Sequence, residues 1–214
     1  MRTGTISILG RALILCSALG LSGSAFAVDG PDLTLNGRRL AKSIKFETRT
    51  FDKSSCDVQE QCVDQAGTRR LLRFDVDTPN IGNMDLVLGD PTSHPELFEY
   101  SDCHQHYHFK GYAKYELMDI GGRVLKTGRK RAFCLEDFEQ KDPKAKHGKF
   151  TCGFQGISAG WSDVYEAGLE CQWLDITGIP GGLYRLKVTI NPDRILKETR
   201  YDNNSFMTPL IISR

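Results

Sequence analysis

Apolar and polar residues alternate with a period of two along several short stretches of the chain. Leu72, Phe74 and Val76 alternate with Arg73, Asp75 and Asp77. Ala113, Tyr115 and Leu117 alternate with Lys114 and Glu116. Tyr184, Leu186, Val188 and Ile190 alternate with Arg185, Lys187 and Thr189. Successive side chains of an extended strand point to opposite faces, so each stretch gathers its apolar set on one side. A last apolar run covers Leu210, Ile211 and Ile212. Turn-forming groups separate these runs: Asp77-Thr78-Pro79-Asn80, Gly89-Asp90-Pro91, Gly121-Gly122, Pro180-Gly181-Gly182 and Asn191-Pro192-Asp193. No segment carries a long apolar stripe at helical spacing. The pattern predicts an all-β fold, an antiparallel β-sandwich with long loops. Glu136 to Gly148 is charged and weakly patterned, and reads as an exposed loop. No internal repeat or linker divides the chain.

The first residues stand apart from this pattern. Arg2 and Arg11 precede the short apolar run Leu13 to Leu19, and Ala25-Phe26-Ala27 follows. A thin positive region, a short apolar core and a small-residue site make a secretory signal peptide, cleaved after Ala27. A membrane anchor is the rival, but spanning takes roughly 20 apolar residues. The expected division is therefore 1–27 as leader and 28–214 as one domain, secreted or periplasmic.

Cleavage changes two counts. The 28 basic residues become 26 against 27 acidic. Near neutrality excludes a nucleic-acid partner, which needs a basic stripe. No second apolar segment is long enough to span a membrane. The seven cysteines become six: Cys56, Cys62, Cys103, Cys134, Cys152 and Cys171. An even number in an exported chain reads as a set of disulfides stapling the fold. Six cysteines allow 15 pairings, and the count does not choose among them. Thiolate zinc is the rival reading, but no paired C-x-x-C is present.

The most informative segment is Cys103-His104-Gln105-His106-Tyr107-His108, which holds three of the five histidines. In an extended strand His104, His106 and His108 share one face, opposite Gln105 and Tyr107. Three imidazoles on one face repel when protonated and converge their lone pairs when neutral. A divalent metal resolves both situations, and three protein ligands leave positions open for water, oxygen or substrate. A solvated polar face is the plain alternative. Spacing alone does not choose copper over zinc.

The same segment resembles the copper-binding stretch of lysyl oxidases. The likeness extends to Phe133-Cys134-Leu135-Glu136-Asp137, to Glu170 through Thr177, and to Gly182 through Val188. It also takes in Pro31-Asp32-Leu33 and Glu198 through Asn204, so it covers nearly all of the mature chain in order. The resemblance implies a copper-dependent oxidase that uses dioxygen to convert primary amines, peptidyl lysine or small amines, to aldehydes. Its cofactor, lysyl tyrosylquinone, is made from one lysine and one tyrosine. The matching residues are Lys130, three before Phe133, and Tyr165, six before Cys171. Taken alone, Lys130 reads as part of a basic patch with Arg129 and Arg131, and Tyr165 as a half-buried tyrosine. Neighbouring cations favour the neutral amine that a nucleophilic lysine needs. A carboxylate is the expected base for the substrate carbon. Asp163 is the candidate, with Asp137 and Asp175 as rivals; each also reads as a turn aspartate bonding its own backbone.

The resemblance carries further expectations and some departures. It implies Cys56–Cys62 and Cys103–Cys152. Cys134 and Cys171 lack the partners they have in animal members, so they are expected to pair with each other. A calcium site is implied at Asp32, the carbonyl of Leu33, Glu198, Asp202, Asn203 and Asn204, all hard oxygen donors. Arg200 replaces an acidic ligand there, so a weak site, a salt bridge or a plain polar turn are open alternatives. Arg129 stands where animal members carry histidine, and Trp161 where they carry cysteine. The cysteine shortly after the Phe133–Asp137 match, the cysteine-bearing C-terminal tail and a long pro-region are missing, so neither proteolytic activation nor collagen or elastin recognition is implied.

Three functions compete at this stage: a quinone-dependent amine oxidase, a non-catalytic extracellular copper-binding module, and a zinc hydrolase. The presence of both Lys130 and Tyr165 favours the first. The third lacks the histidine-adjacent glutamate of zinc proteases.

Overall fold

In the structure, a computed structural model, the described residues are Met1, 29–130 and 134–213, the side chains of Arg129 and Lys130 excepted. The expected leader beyond Met1, and Arg131, Ala132 and Phe133, therefore lie outside them. In chain order the strands are β1 (Lys45–Phe51), β2 (Gly67–Arg73), β3 (Val76–Pro79), β4 (Leu86–Gly89), β5 (Phe98–Ser101), β6 (His106–Phe109) and β7 (Ala113–Asp119). There follow β8 (Val124–Lys130), β9 (Glu139–Gln140), β10 (Gln155–Ile157), β11 (Trp161–Tyr165), β12 (Trp173–Asp175), β13 (Gly182–Ile190) and β14 (Ser205–Ile212). Two short α-helices, α1 (Gly37–Ser43) and α2 (Cys56–Gln59), and one 3-10 turn at Pro91–Ser93 complete the described elements. The fold is all-β and antiparallel, as the alternation predicts.

The strands divide among five small sheets: β14-β13-β7-β8, β1-β2-β12, β3-β11-β9, β10-β4 and β5-β6. The four-stranded sheet follows the sequence pattern most closely. Tyr184, Leu186, Val188 and Ile190 of β13 are buried while Leu183 and Arg185 are exposed. Tyr115 and Leu117 of β7 and Leu210 and Ile212 of β14 bury beside them in the same core. Each such aliphatic side chain contributes about 1.5–3 kcal/mol on burial.

The first predicted strand behaves differently. Leu72, Phe74 and Val76 are all buried, but the chain leaves the ladder at Phe74-Asp75 and splits into β2 and β3. β2 is central between β1 and β12, so both its edges are paired, and both its faces are buried, Leu72 facing the main core. Leu71 on its other face joins Phe51, Val63 and Trp173 in a second small core. Arg73 is buried there because its guanidinium donates to the Ala167 carbonyl at 2.6 Å, pairs with Glu47 and lies 4.5 Å from the Trp173 ring centroid. Helix α1 escapes the pattern because Leu40 is its one buried residue. Asn36 caps it, its side-chain oxygen accepting from Arg39 N at 3.2 Å. The charged segment 136–148 is mainly loop, with β9 pairing onto β11.

The disulfides correct the expected pairing. The bonds are Cys56–Cys103, Cys62–Cys171 and Cys134–Cys152, not Cys56–Cys62, Cys103–Cys152 and Cys134–Cys171. Cys56 opens α2 and Cys62 lies three residues beyond its end, and the two reach different neighbours. Cys56 faces the turn after β5, and Cys62 faces the segment entering β12. Cys134 and Cys152 meet because their segments are already tied together, Asp137 N donating to the Phe150 carbonyl and Gly156 N to that of Leu135. Pairing followed spatial neighbours at Cα separations of 5.7, 5.1 and 4.9 Å, inside the range a disulfide spans.

Candidate metal and cofactor site

The histidines sit on the hairpin of β5 and β6. Ser101 pairs with His106 and Glu99 with His108, so His106 and His108 share one face of β6. His104 is not on that strand. It lies in the connecting turn, where Gln105 takes a positive φ of 58° and its N–H bonds the Ser101 carbonyl. The turn nevertheless swings the His104 ring over the strand pair. Ring centroids are 5.8 Å apart for His104 and His106, 5.2 Å for His104 and His108, and 4.9 Å for His106 and His108. The Nε2 atoms of His106 and His108 approach to 3.2 Å. Two ligands about 2.0–2.1 Å from one ion, near a tetrahedral angle, have a similar separation. The donor set therefore fits a divalent ion. Burial, and next the neighbouring His104, push the His106 imidazole below its ordinary pKa, which favours the neutral, ligating form.

Sequence reading passed over one member of this cluster. Glu60, the residue after α2, accepts a hydrogen bond from Ser101 Oγ, and its other oxygen lies 3.3 Å from His104 Nδ1. One ligating atom each of Glu60, His104 and His108 falls within a 4.8 Å group. The available signal was its place in Cys56-Asp57-Val58-Gln59-Glu60-Gln61-Cys62, but nothing local relates that stretch to the histidines.

Tyr165 ends β11 and is 2% exposed. Its phenol donates to the Cys134 carbonyl at 2.9 Å, and its ring meets Tyr112 edge-on at 5.3 Å. Burial first, and then the charge of Asp163, push its pKa well above the ordinary value. Asp163 lies two residues earlier on the same strand, is 2% exposed, and shares the Tyr165 face. The rival carboxylates are committed elsewhere. Asp137 accepts from the N–H groups of Lys149, Phe150 and Ser158 and from the Ser158 hydroxyl. Asp175 accepts from Thr177 N at 2.9 Å, a turn aspartate.

Lys130 is the last residue of β8 and pairs through its backbone with Ala113. Ala113 follows Tyr112, whose ring touches Tyr165, so the topology brings the Lys130 backbone to the neighbourhood of Tyr165. Gln155, fully buried, ties this neighbourhood to the histidine strand. Its Oε1 accepts from Leu135 N at 3.0 Å and its Nε2 donates to the Tyr107 carbonyl at 3.1 Å.

The other cluster is polar and brings Asp32 and Leu33 beside Glu198 and Asn203. Glu198 accepts from Leu33 N at 2.7 Å and from the side-chain amides of Asn204 and Asn191. Asp32 accepts from the Asn203 amide at 2.8 Å. Asp202 is exposed and pairs with Arg200. The side-chain oxygens of Asn203 and Asn204 are buried without a hydrogen-bond partner.

Comparison with known proteins relates the sequence to one family. The lysyl oxidase family model matches residues 31–212. The chain is 34% identical to lysyl oxidase homolog 2 of Gallus gallus over 193 residues, 86% of this chain and 24% of that protein. The figures are the same for the Homo sapiens relative, and identity is 35% over 184 residues, 81% of this chain and 24% of the relative, for Xenopus tropicalis. The chain thus spans about a quarter of the length of these relatives. A solved CARDB domain from Pyrococcus furiosus, in complex with di-metal ions, aligns over 85% of this chain and 87% of its own, at 12% identity and a TM-score of 0.31, too low to carry an argument. On the extent of the family match and the third of positions shared with these relatives, the chain belongs to the lysyl oxidase family.

Proposed function

We propose that this chain is a secreted, copper-dependent amine oxidase that converts primary amines, peptidyl lysine or small amines, to aldehydes. The overall reaction takes amine, dioxygen and water to aldehyde, ammonia and hydrogen peroxide. The observation that carries the proposal is the convergence of His104, His106 and His108 in a chain of this family, with Tyr165 tied to the same hairpin through Cys134, Leu135 and Gln155.

His104, His106 and His108 would hold the copper, and Lys130 with Tyr165 would form lysyl tyrosylquinone. Together these groups supply the two-electron acceptor that the amine reaction needs and the means of returning electrons to dioxygen. The chain's own residues then have separable tasks. Gln155 and the Cys134–Cys152 bond hold the segment after β8 against the histidine strand. Tyr112 and the Cys134 carbonyl orient the Tyr165 ring. Asp163, on the Tyr165 face of β11, takes the proton from the substrate carbon. The ring is shielded from water as it stands, so a substrate amine reaches it only when its cover shifts.

Residues 1–27 are the leader in this reading and 28–214 the catalytic domain. The three disulfides support an oxidising compartment, outside the cytosol. Among the described residues no helix is long and apolar enough to cross a membrane. Calcium is the proposed occupant of the cluster of Asp32, Leu33, Glu198, Asp202, Asn203 and Asn204. The unpartnered buried amide oxygens of Asn203 and Asn204 support it, since calcium takes such hard donors.

The test is a redox-cycling quinone stain on protein loaded with copper in air, paired with an assay of amine-dependent hydrogen peroxide. A positive stain with peroxide release is expected. Copper-loaded, aerated protein with unmodified Lys130 and Tyr165 would instead favour a copper-binding module without catalysis.

A further inference from the structure

We propose that Glu60 is a positioning residue of the metal centre: its carboxylate accepts a hydrogen bond from the Nδ1–H of His104 and so turns the Nε2 lone pair toward the metal. The inference rests on the reading of the histidines as copper ligands and adds a residue to it.

Three observations support the assignment. The first is covalent. Glu60 lies between Cys56 and Cys62, and Cys56 is bonded to Cys103, the residue before His104. Cys62 is bonded to Cys171 on the far side. The Glu60 N–H also bonds the Cys56 carbonyl at 2.8 Å, closing the α2 turn. The short loop is therefore stapled against the turn that carries His104, and its reach is set by two bonds.

The second is the local network. Ser101 donates its hydroxyl to one oxygen of Glu60, and its own Oγ accepts from His104 N at 3.0 Å. The second oxygen of Glu60 is buried and faces His104 Nδ1 at 3.3 Å. Ser101 Oγ lies 3.4 Å from the same nitrogen. Two acceptors thus surround Nδ1. A buried carboxylate oxygen needs a donor, and the imidazole N–H is the donor in front of it.

The third is the chemistry of imidazole. A neutral ring carries one N–H and one lone pair, and a hydrogen bond to one nitrogen decides which tautomer is present. With Nδ1 as donor, Nε2 is the ligating atom. The same atom type of His106 and His108 already converges in the site. Carboxylate partners of this kind orient ligating histidines and raise their basicity.

The test uses the full chain in three forms: wild type, Glu60→Gln and Glu60→Asp. In metal-free wild type, nitrogen-correlated NMR of the neutral rings should show His104 with its proton on Nδ1. The opposite tautomer in wild type would overturn the proposal without recourse to any variant. Glu60→Gln should weaken Cu(II) binding by about 10–100-fold in chelator competition, while the copper EPR nitrogen couplings still report three imidazoles. Glu60→Asp should recover part of the affinity. Unchanged affinity in Glu60→Gln would overturn the proposal. So would loss of an oxygen ligand from the copper spectrum, which would make Glu60 a direct ligand. If wild type itself fails to bind Cu(II), the copper reading fails, while the tautomer measurement still decides the role of Glu60.

Discussion

The Tyr165 phenol donates to the carbonyl of Cys134 at 2.9 Å. Cys134 stands four residues after Lys130, so the proposed cofactor tyrosine holds the segment that leaves the proposed cofactor lysine. Tyr165→Phe should therefore have two effects. The phenyl ring lacks the oxygen from which a quinone is made, so the variant should bind copper yet show no quinone absorbance. It also leaves a buried carbonyl unpaired, a cost of about 1–3 kcal/mol. Visible spectroscopy and thermal melts measure the two effects on the same sample.

Lys130→Ala tests the other half of the pair. Copper binding should persist, and peptide mapping should find no cross-link to the Tyr165 peptide, in contrast to wild type. Peroxide release from primary amines should fall below the wild-type rate. A cross-linked Tyr165 peptide in this variant would show that another residue is the nucleophile.

His106→Ala removes one of the two Nε2 atoms that lie 3.2 Å apart. Bound copper should drop from one per chain to a small fraction, and the quinone should not form. The circular dichroism of the disulfide-bonded fold should be unchanged, because His106 is partly exposed and outside the hydrophobic core. Copper retained at one per chain would remove the histidine cluster as the site.

Non-reduced peptide mapping should give Cys56–Cys103, Cys62–Cys171 and Cys134–Cys152. Each bond contributes roughly 2–4 kcal/mol by restricting the unfolded chain, so reduction should lower the melting temperature sharply. A Cys134→Ser, Cys152→Ser double variant should in addition lose quinone formation at a given copper load. Its lost bond joins the Tyr165 hydrogen-bond partner to the segment before Gln155.

Gln155→Leu should uncouple the two halves of the site. It strips partners from Leu135 N and the Tyr107 carbonyl, at a cost of about 1–3 kcal/mol. Copper affinity should change little, since the histidines keep their hairpin, whereas quinone formation should slow. An unchanged rate of quinone formation would show that the tie is structural alone.

The chain's own order of residues determined what depends on near neighbours. The period-two alternation of Tyr184, Leu186, Val188 and Ile190 specified β13 and its buried face, because a strand turns successive side chains to opposite sides wherever it occurs. The same rule placed His106 and His108 together. It missed that His104 reaches the cluster from a turn, since that depends on the positive φ at Gln105 and on the bonds to Ser101. The long-range relationships were decided only by the tertiary structure. Cys56 and Cys62 are six residues apart yet bond to Cys103 and Cys171, because disulfides form between cysteines that packing brings within reach. Glu60 meets His104, and Gln155 joins Tyr107 to Leu135, through contacts that span about 20 to 50 positions. Residue types and spacing carry no distance between such segments; the pairing of β12 with β2, the Cys56–Cys103 bond and the seating of β10 beside Leu135 supply it.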